Sequence, residues 1–505
     1  MTMAEPLKTG YAVYPSVSLR SLKTDPETGE KELVFLKELL FGDFISPSIR
    51  KDGTDYVRVS IDKGKNKGEY IKVRSRNATG YIKESEMQAQ RILEVNFIDV
   101  GQGDGCHIAT PDDRHFLIDA GGSDNMYRFL KWRFNLRSSK VAPPPFTVLI
   151  SHSDTDHYEG FKYIFERTKG AAQQFTIEKI YHNGIVESSA VKGTPALAKL
   201  GSVTEHAGSK YITDLCDTDV DYQKRIKEAK QGVYMQTLNK STAPKQAVRL
   251  GSEPIYDKDG LKMEIMAPVA QEIDGKAALP YFGSVSKTKN GHSVVIKLTM
   301  GKLRILLGGD LNTESEYYLI RHYSGVDVAK IMTQLKKGSL KEADRQALEA
   351  QVEEAILKAR ESLEVDIAKS CHHGSSDFTS EFLRVLNPIA TVISSGDDEP
   401  YAHPRPDTLG TIGKFSRGER SLIFSTELAR SGKEFLKLDE IKSTEEKKER
   451  VVTVYGMINV RTDGEKVVIA QKYERKTGKG NWDIHRLSWN EKKGEFEYIQ
   501  DEKDS

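Results

Sequence analysis

The stretch Ile150-Ser-His-Ser-Asp-Thr-Asp-His157 brings two imidazoles and two carboxylates together within six positions of the sequence. It continues Phe146-Thr-Val-Leu-Ile150, an apolar run that is typical of a buried strand. A strand that ends in these groups holds them on a rigid edge. Packing two imidazoles and two carboxylates so closely would cost free energy without a cation between them. The stretch therefore predicts a metal site, and a polar surface turn is the alternative interpretation.

The whole chain has the size and composition of a soluble protein with several domains. Its 505 residues predict two or three domains. Hydrophobic residues make up 38% and charged residues 30%, which is ordinary for a chain that buries a core. The formal net charge is only +1, so a nucleic-acid partner would have to be held by a local basic patch.

Cysteine usage and the N-terminus bear on the compartment. Cys106, Cys216 and Cys371 are odd in number and far apart, which argues against a disulfide framework and fits a reducing environment. Met1–Thr24 has neither a basic start nor an apolar core, and no run reaches membrane-spanning length. We therefore expect a cytoplasmic protein without a membrane partner.

Residues 1–90 are predicted to form a small β-barrel, because short β-rich runs alternate with polar turns. These runs are Val34-Phe-Leu36, Tyr56-Val-Arg-Val59, Tyr70-Ile-Lys-Val73 and Gly80-Tyr-Ile82. The last two resemble the closing strands of bacterial SH3-like modules. That resemblance implies a binding appendage for a protein partner.

Residues 91–430 alternate strand and helix patterns, which predicts an α/β domain whose helices cover a sheet. An alternating strand begins at Leu93, Phe116–Gly122 reads as a strand with a glycine turn, and Met126–Leu136 looks helical. Two insertions are predicted, at 158–290 and 326–363. The second is rich in Lys, Glu, Ala and Leu, and its helices could cap the site or pair with a partner.

Residues 431–505 are predicted to be a linker followed by a β-rich extension. Lys433–Arg450 is rich in lysine and glutamate and looks like a solvated link. The alternating runs Val452-Thr-Val-Tyr455 and Lys466-Val-Val-Ile-Ala470 suggest terminal strands.

Six motifs in a fixed order carry a family resemblance over roughly residues 93–430. They are Asp99-Val-Gly-Gln-Gly-Asp104, Leu117-Ile-Asp-Ala-Gly121, the His152–His157 stretch, Leu306-Leu-Gly-Gly-Asp310, His372-His-Gly-Ser375 and Tyr401-Ala-His-Pro404. In this order they resemble the metallo-β-lactamase-fold hydrolases, and most of all the soluble nuclease domain of ComEC-type DNA-uptake proteins. The resemblance implies a four-layer αββα fold and a centre with two divalent metal ions.

The resemblance also implies a ligand set. His152 and Asp154 would serve one metal, Asp156 and His157 the other, with Asp310 as the bridge. His403 is assigned to the second metal. Asp154 stands where the family more often has a second imidazole, so the site is harder and favours manganese or magnesium, while zinc stays a candidate.

The remaining polar residues of the motifs have less certain roles. One of His372 and His373 could be a ligand and the other a proton donor, and the sequence does not separate them. Together with Asp156 they are the expected catalytic residues. Asp310 could also be a simple turn residue, and Gly374-Ser-Ser-Asp377 also reads as a helix cap. Asp104 and Asp119 are expected to orient ligands through hydrogen bonds.

These features together predict a metal-dependent hydrolase, a phosphodiesterase that cuts nucleic acid, with DNA as the expected substrate. Arg405 is the candidate substrate-binding residue. Arg128, Lys131 and Arg133 could hold the backbone or form a solvated helix face. One alternative is a phosphodiesterase for a small molecule, and another is an inert sensing or interaction protein. DNA processing or defence against phage would suit the first interpretation by association only.

Overall fold

The structure is a computed structural model that describes residues 6–136, 142–166, 174–337, 340–396, 401–426, 457–477 and 480–500. The chain forms two compact units. The first contains Met1–Val95, Ala109–Asp113 and Asn459–Ser505, and the second contains Asn96–Ile108 and Arg114–Ile458. The C-terminal strands thus group with the N-terminal ones. Domain boundaries near residues 90 and 430 stay a sequence prediction, and the predicted link Lys433–Arg450 and strand Val452–Tyr455 lie outside the described residues.

The first unit is built from antiparallel strands. Its N-terminal strands are Gly10–Ala12, Ser16–Thr24, Lys31–Leu40, Phe44–Pro47, Arg58–Ile61, Gly68–Ser75, Ala78–Ile82 and Met87–Gln88. Alternate residues such as Val17, Leu19, Ile71 and Val73 point into one core, as the period of a strand requires. The predicted β-rich module is therefore present, while its likeness to SH3 modules stays a prediction.

C-terminal strands complete this unit. They are Met457–Thr462, Lys466–Thr477, Gly480–Asn490 and Glu495–Ile499, of which only Asn459 onwards belongs to the unit. Val468 and Ala470 pack with Leu40 and Phe41. The guanidinium of Arg461 donates to the Phe41 carbonyl at 2.9 Å, so a buried charge also finds a partner there.

The second unit contains two large sheets. In the first, the strand order is Lys245–Ala247, Ile177–His182, Phe146–Leu149, His115–Ala120 and Gly105–Ala109, followed by Leu93–Ile98. Of these strands, Leu93–Val95 and Ala109 belong to the first unit. The pairings from His115–Ala120 to Lys245–Ala247 are parallel, which is typical of strands buried on both faces.

The second sheet has seven strands in the order Tyr256–Lys258, Leu261–Ala267, Val295–Met300, Leu303–Leu307, Ile367–Lys369, Ala390–Ile393 and Leu422–Ser425. Phe97, Cys106 and Ile118 of the first sheet line one small cavity together with Leu307 of the second sheet and Val294, which precedes the strand Val295–Met300. The two sheets therefore face each other across a shared core.

Helices cover the outer faces of both sheets. Asn125–Arg133 buries Met126, Phe129 and Leu130 against the first sheet. On the second sheet, Thr313–Ser324, Val328–Leu335, Glu342–Leu363 and Ser380–Leu386 share a core with the strands, and Pro406–Phe415 packs beside Leu422–Ser425. This arrangement confirms the predicted four-layer αββα metallo-β-lactamase fold. The helices Val328–Leu335 and Glu342–Leu363 of the predicted second insertion belong to this outer layer, and their role as a cap stays a prediction.

The region predicted as the insertion 158–290 contributes four strands to the large sheets: Ile177–His182, Lys245–Ala247, Tyr256–Lys258 and Leu261–Ala267. The rest forms a small sheet of Ser202–His206, Ser209–Thr213, Gln271–Ile273 and Lys276–Pro280, with helices Thr155–Tyr158, Lys162–Phe165, Asp219–Glu228, Val233–Leu238 and Val285–Gly291 in the same region. Within the described ranges, no helix is both long and apolar enough to cross a bilayer.

Candidate metal centre

The candidate metal centre lies where loops leave the carboxyl ends of strands in both large sheets. Phe146–Leu149 leads into the His152–His157 stretch, Leu303–Leu307 leads to Asp310, and Ile367–Lys369 leads to His372 and His373. Gly309 has φ +55°, and a Cβ there would lie 2.6 Å from the Ser293 Cβ. The turn before Asp310 therefore requires glycine.

The backbone at the histidine pair is strained. His372 has φ 48° and His373 has φ 54°, so two consecutive side-chain-bearing residues are left-handed. Each such residue costs about 1–2 kcal/mol relative to the right-handed region. The hydrogen bond from the His372 amide to the Gly309 carbonyl, 3.1 Å long, helps to hold this turn. Strain of this kind concentrates at functional sites, and here it turns the two imidazoles in different directions.

Imidazole nitrogens converge on one oxygen of Asp310. The Oδ2 atom lies 3.2 Å from Nε2 of His157 and 3.2 Å from Nε2 of His373. It lies 4.0 Å from Nε2 of His152 and of His372. The second carboxylate near this point is Asp156, whose oxygens lie 4.0 Å from Nε2 of His157 and 3.6 Å from Nε2 of His373. Asp310 thus lies centrally, as a bridging ligand would.

The far side of each ring is held by the protein. Nδ1 of His157 lies 2.8 Å from Asp119 Oδ2, and Nδ1 of His373 lies 3.1 Å from the Ser394 carbonyl. Both oxygens accept, so each Nδ1 carries the proton and donates it. The Nε2 lone pair of each ring is then free to bind a cation, as is usual for histidine ligands.

The buried carboxylates around these two rings favour additional positive charge. Burial by itself lowers the pKa of His157, but the Asp310 and Asp119 carboxylates outweigh it and raise that pKa well above its usual value. Burial also lowers the pKa of His373, but the Asp310 and Asp104 carboxylates outweigh it and raise that pKa to about 10. A proton on each ring supplies positive charge that balances these carboxylates, as a bound metal ion would.

An unpartnered buried nitrogen shows that the donor set fits a divalent cation. Nε2 of the fully buried His152 has no hydrogen-bond partner and faces Asp154 Oδ2 at 3.7 Å. His152, His157 and Asp310 present ligand atoms within 4.8 Å of one another, and so do Asp156, His157 and His373. Imidazole nitrogens with carboxylate oxygens suit zinc or manganese, and these five residues would hold the ion.

Asp154 is placed at the edge of this group and already has protein partners. Its Oδ1 contacts the Lys289 ammonium. With its side-chain amide turned so that both ends are satisfied, Asn290 donates to Asp154 Oδ2 at 2.7 Å. Burial raises the pKa of Asp154, but His152 and Lys289 outweigh it, so the pKa is lowered. The role of Asp154 as a ligand stays a prediction.

Asp104, Asp119 and Lys369 form a layer behind the ligands. Asp119 accepts hydrogen bonds from the Ser151 amide at 2.8 Å and from its hydroxyl at 2.6 Å, in addition to holding His157. Asp104 Oδ1 lies 3.2 Å from Nδ1 of His373, and Asp104 Oδ2 contacts the Lys369 ammonium. These contacts are those expected of residues that orient ligands.

His372 and His403 lie farther out. The side chain of His372 is 24% exposed, and its Nε2 lies 3.5 Å from the Asn290 amide. Burial lowers the pKa of His372 more than Asp310 raises it. The ring of His403 is 6.0 Å from that of His372 and 6.2 Å from that of His373. His403 belongs to none of the donor groups found among the described residues, and its assignment as a ligand stays a prediction.

The basic residues proposed from sequence are placed differently from one another. Arg405 is exposed, and its amide donates to the Gly374 carbonyl at 2.8 Å, next to the histidine pair. Arg128 pairs with Asp124 at 2.8 Å, and Lys131 lies over the Tyr127 ring. Arg133 lies over the Phe134 ring. Arg405 is therefore the best placed of the four for a substrate.

The sequence interpretation did not include Lys369, Lys289 and Asn290. Lys369 ends the buried strand Ile367–Lys369, and a lysine in such a run is itself a signal, because buried ammonium groups need partners. Asn290 lies in the last turn of the helix Val285–Gly291, before the strand Val295–Met300. The neighbouring His292 donates from Nε2 to the Pro280 carbonyl at 2.6 Å and stacks on Phe282.

Two facing sheets with helices outside, and imidazole and carboxylate donors at the strand ends, define the class as the metallo-β-lactamase fold. No family model matches the chain. ComE operon protein 3 of Bacillus subtilis strain 168 is 22% identical over 339 residues, covering 64% of this chain, and the chain spans 31% of that protein's length.

Two solved structures were also matched. They are Tm1679, a metal-dependent hydrolase of the β-lactamase superfamily, and Igni18, a metallo hydrolase from the hyperthermophilic archaeon Ignicoccus hospitalis. Each is 11% identical, with a TM-score of 0.30, over 66% of this chain and 95% of its own. The fold assignment rests on the sheet order and motif positions of this chain.

Proposed function

We propose that this protein is a metal-dependent hydrolase, specifically a phosphodiesterase that cleaves DNA with two divalent cations, manganese or zinc. The observation that carries the proposal is the convergence of Nε2 of His157 and His373 on Asp310 Oδ2, each at 3.2 Å. Such a group of inward-facing donors, with the opposite ring nitrogens fixed by the protein, suits a cation that takes part in chemistry.

The chain's own residues would divide the work between them. When bound, divalent ions supply Lewis-acid chemistry that lowers the pKa of a water and offsets charge on a phosphodiester. His152, Asp156, His157, Asp310 and His373 would hold them, and Asp119 keeps His157 in the ligand tautomer. Burial lowers the pKa of His372, which favours its basic form, so it would accept the proton of the attacking water and deliver it to the leaving oxygen.

DNA is proposed as the substrate on two grounds. The six motifs resemble the ComEC-type nuclease domain, and the sequence likeness to ComE operon protein 3 covers 339 residues. Arg405 is exposed and its backbone lies next to the histidine pair, from where its guanidinium could bind a phosphate. A single such residue fits a phosphodiester backbone that the protein contacts without reading bases.

The test is to load the purified full chain with Mn²⁺, Mg²⁺ or Zn²⁺ and to assay it on double-stranded DNA, single-stranded DNA, RNA and bis-p-nitrophenyl phosphate. Asp310→Ala should abolish cleavage and metal uptake together. Asp257→Ala, which removes an exposed carboxylate from the same unit, should change neither. Absence of cleavage of every substrate with every metal would refute the hydrolase proposal.

The two histidines can be separated in the same assay. His373→Gln should lose metal and activity together, whereas His372→Gln should lose activity while metal content stays within twofold. Cleavage of the small phosphodiester but of no polynucleotide would contradict the DNA proposal and favour a small-molecule phosphodiesterase. Equal metal loss in both variants would contradict the assignment of His372.

A further inference from the structure

Lys289 lies between Asp154, a predicted ligand of the metal centre, and Glu187, which lies outside the centre. Its ammonium contacts Asp154 Oδ1 and lies 3.0 Å from Glu187 Oε2. The side chain of Lys289 is only 12% exposed. The carboxylates of Asp154 and Glu187 on either side of the ammonium favour its ordinary charged form. A fixed positive charge thus lies on one side of the centre.

The two sides of the centre differ in this respect. Asp154 has the Lys289 ammonium on one oxygen and the Asn290 amide on the other. Asp156 faces His157 and His373, and among the described side chains no lysine or arginine comes within ion-pair distance of it. A cation bound by Asp156 therefore meets imidazoles, whereas a cation bound by Asp154 must share its carboxylate with an ammonium.

We propose that Lys289 makes the centre fill in order, with the first cation at Asp156, His157 and His373 and the second, more weakly, at His152 and Asp154. The proposal rests on the two-cation centre of the proposed function. Like charges on one carboxylate repel each other strongly in a buried site, because little water screens them. Removing the charge of Lys289 should therefore strengthen the second step and leave the first unchanged.

Glu187 moderates this effect. It holds Lys289 at 3.0 Å, accepts a hydrogen bond from the Ser153 hydroxyl at 3.0 Å and pairs with Lys199 at 2.7 Å. When a cation takes Asp154, Lys289 still has Glu187 as a partner. Without that carboxylate the ammonium would rely on Asp154 alone, so Glu187→Gln should weaken the second step, the opposite of the Lys289 effect.

The chain provides a matched control on the same helix. Lys287 also belongs to Val285–Gly291, but its ammonium pairs with Glu314 at 2.5 Å and does not contact Asp154. Lys287→Gln therefore removes the same charge from the same helix without touching the centre. Lys289→Arg keeps the charge in place and controls for loss of packing.

The experiment is isothermal titration of the metal-free full chain with Mn²⁺, with manganese electron paramagnetic resonance to count bound ions. The wild-type protein should bind two ions in steps that differ at least about tenfold in affinity. Lys289→Gln should tighten the second step by about tenfold and leave the first within about twofold. Lys289→Arg and Lys287→Gln should match the wild type, and Glu187→Gln should weaken the second step.

Two equal steps in the wild type, an unchanged second step in Lys289→Gln, or the same tightening in Lys287→Gln would each overturn the proposal. The outcome is independent of the proposed activity. Ordered binding that responds to Lys289, in a protein that cleaves no substrate, would contradict the nuclease proposal alone. Cleavage by a protein that binds both ions equally would contradict only the ordered filling.

Discussion

Replacing Lys369 by methionine should destabilise the metal-free protein strongly, because the buried carboxylate of Asp104 loses its lysine counterion. The Lys369 ammonium contacts Asp104 and donates to the Gly309 carbonyl at 2.9 Å. Its side chain is 5% exposed and that of Asp104 is 9% exposed. Removing one partner from a buried ion pair costs about 3–5 kcal/mol, so we expect a loss of that size in the free energy of unfolding.

The pH dependence follows from Asp104. Burial raises its pKa, but Lys369 and His373 outweigh that and lower it to about 2, below the ordinary 3.8. The wild-type protein therefore gains stability from Asp104 above about pH 4 and loses it as the pH falls towards 2. In Lys369→Met the carboxylate lacks that support, so the defect should shrink as acid protonates Asp104.

The measurement is urea unfolding of the metal-free protein, followed by circular dichroism, in a double-mutant cycle with Asp104→Asn. Because the second change removes the uncompensated charge, we expect it to recover roughly 1–3 kcal/mol of the loss. Lys297→Met is the matched control: the Lys297 ammonium donates to the Ser362 carbonyl at 2.6 Å, and its removal should cost about 1–2 kcal/mol. Equal losses for the two lysines, or strict additivity in the cycle, would refute the reasoning.

Three further outcomes are expected. Asp119→Asn should weaken Mn²⁺ binding by roughly 10–100-fold in calorimetry, because Asp119 fixes the tautomer of His157. In the metal-free protein, urea stability should fall as the pH rises from about 6.5 towards 10, because the folded pKa of His373 is about 10 and its usual value is 6.5; His373→Gln should flatten this trend. Arg405→Gln should weaken DNA binding and reduce its salt slope by about one, as measured by fluorescence anisotropy, while hydrolysis of a small phosphodiester is unchanged.

The local sequence pattern was sufficient to predict the strands and loops that carry the proposed ligands. The apolar run at Phe146–Leu149 is a strand, and the ligand stretch follows it directly. The amphipathic stretch Met126–Leu136 overlaps the helix Asn125–Arg133. These features depend on residues close together in the chain, where hydrophobic periodicity is a strong signal.

The extent of the insertion predicted at 158–290 was harder to infer from the sequence. Short strands such as Lys245–Ala247 and Ile177–His182 lie within 158–290, although they belong to a large sheet. A three-residue strand offers little periodicity, and its place is set by pairing with a distant neighbour.

The sequence by itself determined the fold class, the order of the motifs and the presence of clustered imidazoles and carboxylates, because these follow from local apolar periodicity and residue chemistry. Only the tertiary structure decided what each group does. His372 and His373 are chemically identical neighbours, and the left-handed turn alone sends Nε2 of His373 towards Asp310 and leaves His372 at the edge. Lys289 reaches Asp154 only through folding, since contacts between residues distant in sequence leave no local pattern.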